Sequence, residues 1–271
     1  MLRLRFLTAA IGLPLVILAI VLGPLPYCVF LGCVAAMCAY ELGHLAPQIR
    51  GWNLVSSVAV LFAVLLACWR LLPFSSVLLS LAATVLVVGS LVALLDAGGG
   101  QRTFGQWSWC MAGALYVGWL FGHWGGVYGL YQGVALVFFG MFTTFFYDTF
   151  AYFTGRAFGR HKLAPRVSAG KSWEGACGGV VMAVVGALLV REAALGLTGS
   201  FPFSASLSVV AAVVLAVAAQ LGDLVESALK RSAGVKDAGG VLPGHGGMLD
   251  RFDSLMLSGP MLYYFALWVA A

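Results

Sequence analysis

FSSVLLSLAATVLVVGSLVALL, residues 74–95, is a run of 22 residues without one ionisable side chain. As a helix it is long enough to cross a hydrocarbon core of about 30 Å. It does not alternate apolar with polar residues, as a membrane-spanning β-strand would. The rest of the chain has the same character. Of its 271 residues 62% are hydrophobic and only 9% charged, against about 25% charged in a soluble domain. Outward from 74–95, further apolar runs fall at about 9–23, 25–43, 52–69, 107–122, 133–153, 175–190, 204–222 and 254–270. The expected fold is therefore an all-α polytopic integral membrane protein of about nine transmembrane helices, forming a single membrane domain over 1–271. Pro14 and Pro24 are candidate kinks or breaks between the first two runs. The glycine- and tryptophan-rich 107–122 is a weak span. The N-terminus has the charged start and apolar run of a signal peptide but lacks a clear polar cleavage region, so it is read as a retained first helix.

Six cysteines, Cys28, Cys33, Cys38, Cys68, Cys110 and Cys177, fall in or beside apolar runs and make no CxxC pair. They read as small buried hydrophobes rather than a disulfide frame or a zinc site. Basic residues set the orientation, because cytoplasmic loops are enriched in Lys and Arg. With a cytoplasmic N-terminus and nine alternating spans, 13 of the 15 Lys and Arg residues lie inside, and only Arg70 and Arg191 lie outside. An outside N-terminus would strand Arg3 and Arg5 on the wrong face. Two polar loops, about 154–174 and 223–253, then share the cytoplasmic side, where a water-soluble substrate meets lipid.

The second loop concentrates the charge. In GDLVESALKR, residues 222–231, Asp223, Glu226, Ser227 and Lys230 are spaced i, i+3, i+4 and i+7 and share one helix face. A solvated helix end with one Glu–Lys pair is the plain reading, but the polar face extends beyond one pair. KDAGGVLPGHGGMLDRFDS follows at 236–254, with five glycines and Pro243. Glycines permit sharp bends and close backbone approach to a ligand, and successive N–H groups in such loops cradle anions. Asp250 and Asp253 precede the last apolar run. Asp253 reads equally as a helix cap or a functional group. Asp250 reads as functional, converging with His245, Arg251 and the Asp223 face. Carboxylates suit Mg²⁺, and Lys and Arg suit phosphate. His245 is a candidate base or a hydrogen-bonding prop. No Walker A or GxGxxG motif is present. The constellation describes chemistry on a nucleotide or a phosphorylated lipid.

Residues 227–253 also resemble the signature of the phosphatidate cytidylyltransferases, the CDP-diacylglycerol synthases. The resemblance is carried by Ser227, Leu229, Lys230, Arg231, Lys236, Asp237, Gly239, Leu242, Pro243, His245, Gly246, Gly247, Met248, Asp250, Arg251, Phe252 and Asp253. DTFAYFTGRAFGR at 148–160 and VSAGKSWEG at 167–175 are similar to two further family segments. Phe150 stands where glycine is usual, and Ala169, Gly170 and Ser172 where proline, lysine and threonine are usual. The likeness is strong over about 140–271, the catalytic part, and weak over about 1–130, where Arg5, Thr8, Pro14 and Glu41 match.

The resemblance implies transfer of CMP from CTP to phosphatidate, giving CDP-diacylglycerol and pyrophosphate. It implies Mg²⁺, with room for a second cation, held by Asp223 and Asp250. Lys230, Arg231, Lys236 and Arg251 would contact phosphates. Ser168, Lys171, Trp173 and Glu174 would hold the nucleotide, with Ser227, Gly246 and Gly247 beside them, and Trp173 reads equally as an interfacial anchor. Asp148, an acid near the end of an apolar run, would assist the metal or neutralise an arginine such as Arg156. The attacking phosphate oxygen is already anionic, so the barrier is charge repulsion rather than proton removal. The expected partners are CTP, phosphatidate and membrane lipid, with no nucleic acid; a homodimer is compatible. The expected setting is a bacterial inner membrane with the site facing the cytoplasm. The rival readings are a cation- or proton-coupled transporter, which would carry its acids at the midplane of several spans, and an inactive family member.

Overall fold

The computed structural model describes residues 2–45, 54–96, 101–241 and 246–271. Arg50, Leu242, Pro243, Gly244 and His245 lie outside the described residues. Each apolar run of the sequence is helical. The helices are α1 (Leu2–Val21), α2 (Pro24–His44), α3 (Leu54–Cys68), α4 (Ser76–Asp96), α5 (Gln101–Ala114), α6 (Leu120–Tyr128), α7 (Gly133–Phe158), α8 (Trp173–Thr198), α9 (Ala205–Ser232) and α10 (Leu249–Ala270). A π-helical turn, Leu115–Trp119, joins α5 to α6. Among the described residues, α2, α7, α8 and α9 are long and apolar enough to cross a membrane. Large apolar side chains also line the outside: Val77 is 76% and Leu197 87% exposed. Surface of that kind suits lipid rather than water.

Proline placement explains the first boundary. Pro14 lies within α1, whereas Pro24 opens α2 directly after Gly23 at φ 117°. Proline lacks the N–H that a helix start leaves unused, so the break falls at Pro24.

The chain folds into two compact units, Met1–Gly125 with Ser232–Arg251, and Gly126–Arg231 with Phe252–Ala271. In the first, α3 packs against α2, α4 and α5 around Ala59, Phe62, Ala63 and Leu66, with Cys110 and Met111 from α5. The indole N–H of Trp109 donates to the carbonyl of Leu42 at 2.7 Å, fastening α5 to the end of α2. Cys28, Cys38, Cys68 and Cys110 are buried free thiols, whereas Cys33 and Cys177 are exposed.

In the second unit α7 and α8 form an extensive helix pair. A Cβ at Gly179 would lie 2.8 Å from the Tyr147 ring, so only glycine lets the helices approach this closely. Tyr147, Ala183, Ala216 and Ala219 form the shared core of α7, α8 and α9.

Where the sequence suggested only a polar loop, residues 162–172 form an antiparallel hairpin. Strand β1 (Lys162–Ala164) pairs with β2 (Ser168–Ser172). Pro165 sits at the second position of its turn, closed by Val167 N–H donating to the Ala164 carbonyl at 3.1 Å. Three- and five-residue strands give too short a pattern to read from sequence. Helix α9 also runs ten residues past the expected end of its apolar span, because its last turns carry the charged i,i+4 spacing rather than apolar residues.

Candidate active site

The hairpin delivers Lys171 and the start of α8 together. Ser172, 5% exposed, caps α8 by accepting the Gly175 N–H at 3.2 Å. Glu174, in the first turn, accepts N–H groups from Arg160 at 3.1 Å and His161 at 3.2 Å and meets His161 Nδ1 at 2.6 Å. Glu174 thus pins the base of the hairpin to the helix. Trp173 is 59% exposed beside it.

From this base Lys171 reaches α9. Its Nζ lies 2.7 Å from Asp223 Oδ2. One turn on, the Ser227 hydroxyl donates to Asp223 Oδ1 at 3.2 Å. Glu226 is fully buried and pairs with Lys230 at 2.6 Å. The i, i+3, i+4, i+7 face of α9 is therefore formed; it supplies the Glu226–Lys230 pair and the carboxylate that meets Lys171 of the hairpin.

Two more carboxylates join Asp223. Asp148 of α7 feels the charges of Asp223 and Lys171, and the Ser254 side chain hydrogen-bonds to it. Asp253 of α10 feels Asp223, Asp148 and Lys230. Asp253 Oδ1 also accepts the Ser254 N–H at 2.7 Å. Arg156, by contrast, donates to the Tyr152 hydroxyl at 3.0 Å. Asp148 therefore lies with Asp223 and Asp253 in a carboxylate cluster. Below this cluster the polar contacts continue: the Tyr147 hydroxyl donates to Gln220 at 2.6 Å, and the Thr144 hydroxyl to Ser258 at 3.2 Å. Gln220, Ser254 and Ser258 lack the charge that would have singled them out in the sequence.

The glycine loop belongs to the first unit. Asp250 Oδ2 accepts the N–H groups of Ala238 at 3.0 Å and Gly247 at 2.9 Å. Glu41, 2% exposed on α2, accepts the N–H groups of Met248 at 2.9 Å and Leu249 at 2.8 Å. In the sequence Glu41 was legible as an acid in an apolar span that matches the family resemblance, without its partners. Lys236 and Arg251 are exposed in this segment. Arg231, at the end of α9, is exposed too, while Ser168 and Gly246 are partly covered and Gly247 is buried. His245, the candidate base, is outside the described residues.

Among the described residues no three His, Cys, Asp or Glu side chains are grouped to hold a metal ion. Mg²⁺ is usually bound by one or two carboxylates, completed by water and substrate phosphates. The donor set fits that habit: Asp223 offers a hard oxygen ligand and already faces a cation, the Lys171 ammonium.

A charged cluster at the ends of apolar helices, holding a lysine against carboxylates, suits an anionic substrate that arrives at a membrane. A family model, described as the cytidylyltransferase family, matches residues 3–269. The chain belongs to the cytidylyltransferase family. Curated relatives agree. The phosphatidate cytidylyltransferase of Bacillus subtilis is 32% identical over 271 residues, covering 96% of this chain and 96% of the relative. That of Pseudomonas aeruginosa is 34% identical over 277 residues, covering 100% and 98%. That of Haemophilus influenzae is 44% identical over 146 residues, covering 51% and 48%. Family membership accounts for the charge pattern that hydropathy alone leaves unexplained.

Proposed function

We propose that the chain transfers CMP from CTP to phosphatidate, releasing pyrophosphate and forming CDP-diacylglycerol for phospholipid synthesis. The observation that carries this reading is the cluster of Asp148, Lys171, Asp223 and Asp253 on apolar helices of a cytidylyltransferase-family chain. A phosphate oxygen of phosphatidate attacks the α-phosphorus of CTP, and the bond to the β-phosphate oxygen breaks. Both reactants are anions. The protein's task is to hold them in line and neutralise charge.

Lys230, Arg231, Lys236 and Arg251 are the residues proposed to meet phosphates. Ser168, Lys171, Trp173 and Glu174 are proposed to hold the nucleotide, with Ser227, Gly246 and Gly247. The hairpin geometry supports a division among them: Glu174 fixes the hairpin, while Lys171 stands at the carboxylates. Lys171 would exchange Asp223 for a phosphate when CTP enters. Asp223 and Asp250 are the carboxylates proposed to hold Mg²⁺, which when bound supplies positive charge against the triphosphate and departing pyrophosphate.

Nine spans with a cytoplasmic N-terminus complete the reading, supported by the placement of 13 of 15 basic residues on one side. The reaction would then face the cytoplasm of a bacterial inner membrane. The deciding experiment supplies purified protein in detergent with base-labelled CTP, phosphatidate and Mg²⁺. Labelled CDP-diacylglycerol that requires all three establishes the reaction. Absence of product from folded protein overturns it.

A further inference from the structure

The buried acid on α2 lies outside every role given above, yet it meets the glycine-rich segment at Gly239 and at Gly247–Leu249. Glu41 is 2% exposed, more than 200 residues from its partners in sequence. An ionised carboxylate is not buried without compensation. Here the compensation is the start of α10: Met248 N–H reaches Oε1 at 2.9 Å and Leu249 N–H reaches Oε2 at 2.8 Å. Amides at a helix N-terminus carry partial positive charge, so a carboxylate suits them better than a neutral amide.

The approach of the loop backbone is equally specific. A Cβ at Gly239 would lie 2.7 Å from Glu41 Oε1, and a Cβ at Gly247 would lie 2.6 Å from Oε2. The backbone at Gly239 and the backbone at Gly247 therefore meet on one carboxylate. Asp250 then joins the same two segments through Ala238 N–H and Gly247 N–H. Lys236 precedes this junction and Arg251 follows it.

We propose that Glu41 is a positioning residue that holds Gly239 and the Gly247–Leu249 backbone together and so sets Asp250, Lys236 and Arg251 for phosphate chemistry. Glu41 touches no substrate. This inference rests on the reading of residues 227–253 as the reaction loop, and its test includes a measurement made without any reaction.

The test uses the full-length protein in detergent, as wild type, Glu41→Gln, Glu41→Asp and Gly247→Ala. The first readout is tryptic nicking at Lys236 without substrates. The amide nitrogen of Gln cannot accept an N–H, so one contact is lost. Nicking in Glu41→Gln should be faster by about tenfold, since cleavage follows the open population. Gly247→Ala should behave likewise through steric displacement of the carboxylate. The second readout is CDP-diacylglycerol formation. In Glu41→Gln, kcat should fall by about 10²-fold, as a misplaced group costs, while KM for phosphatidate changes little. Glu41→Asp, which keeps both acceptors on a shorter stem, should recover part of both readouts. The proposal is overturned by wild-type nicking and kcat in Glu41→Gln. It is equally overturned if activity falls only in proportion to folded protein, with no rescue by Glu41→Asp. Faster nicking in a preparation whose wild type makes no product would uphold the clamp and refute the assigned reaction.

Discussion

In the first unit, Glu41 and Asp250 take N–H groups from the loop backbone: Met248 and Leu249 on one, Ala238 and Gly247 on the other. In the second, Asp223 faces the Lys171 ammonium and feels Asp148 and Asp253. The same chemical group serves two ends. A carboxylate bound to backbone amides is committed to one geometry, because those amides move only with the loop. A carboxylate facing a lysine on a flexible stem can exchange that partner for another cation or release it to a phosphate. Like charges crowded together raise the energy of the folded protein, a cost typical of sites kept for function. The first arrangement fixes the loop and with it the place of Asp250, and the second keeps a carboxylate that can change partners.

The contrast breaks most sharply at Asp223. Asp223→Asn should lower turnover by about 10²–10³-fold, the usual cost of removing one electrostatic partner of a transition state, while detergent-purified protein keeps its helical circular dichroism. Near-normal CDP-diacylglycerol synthesis would place the chemistry elsewhere. Chelation by EDTA should bring the wild type to background turnover, restored by added Mg²⁺, with little change in the rate of tryptic nicking. Nicking that rises on chelation would mean that the metal holds the loop rather than the reaction.

Lys171→Met should reduce kcat/KM for CTP by about 10-fold, in keeping with a charge-assisted contact of roughly 1.5 kcal/mol. An unchanged value would assign the lysine to neutralising Asp223 alone. Asp253→Asn tests the crowding itself. Removing one of three neighbouring charges should leave the thermal midpoint equal or raise it by about 2–4 °C, with turnover reduced. A fall in both would make Asp253 chiefly a structural partner of Ser254. The smallest effect belongs to Ser172→Ala, which removes the α8 cap. It should cost about 1 kcal/mol of stability, read as a drop in the thermal midpoint, with activity changed less than by Lys171→Met.

Much of this was legible beforehand, for reasons particular to each element. The apolar runs at 74–95 and 133–153 read directly as helices because hydropathy is a local property of consecutive residues. The polar face of α9 was also legible, since i and i+4 positions on one helix are neighbours whatever surrounds them, and Lys230 and Glu226 do pair. The hairpin at 162–172 was not, because its strands are too short to show a period. Glu41 showed as an acid in an apolar run that the family resemblance also matches, and nothing local names its backbone partners. Asp253 offered two meanings, and its neighbours Asp148 of α7 and Asp223 of α9 were not legible from spacing.

The sequence by itself determined the membrane class, the helical segments, the side of the chain on which charge gathers and the family to which the glycine loop points. The first three follow from composition and from spacings within a few residues, and the family from the resemblance of the 227–253 motif to a known signature. Only the tertiary structure decided which carboxylate meets which partner. Lys171 reaches Asp223 across 52 positions and Glu41 reaches Leu249 across 208. Such pairings depend on how helices and glycine-bearing backbones approach one another, and that distance is written in no single stretch of the chain.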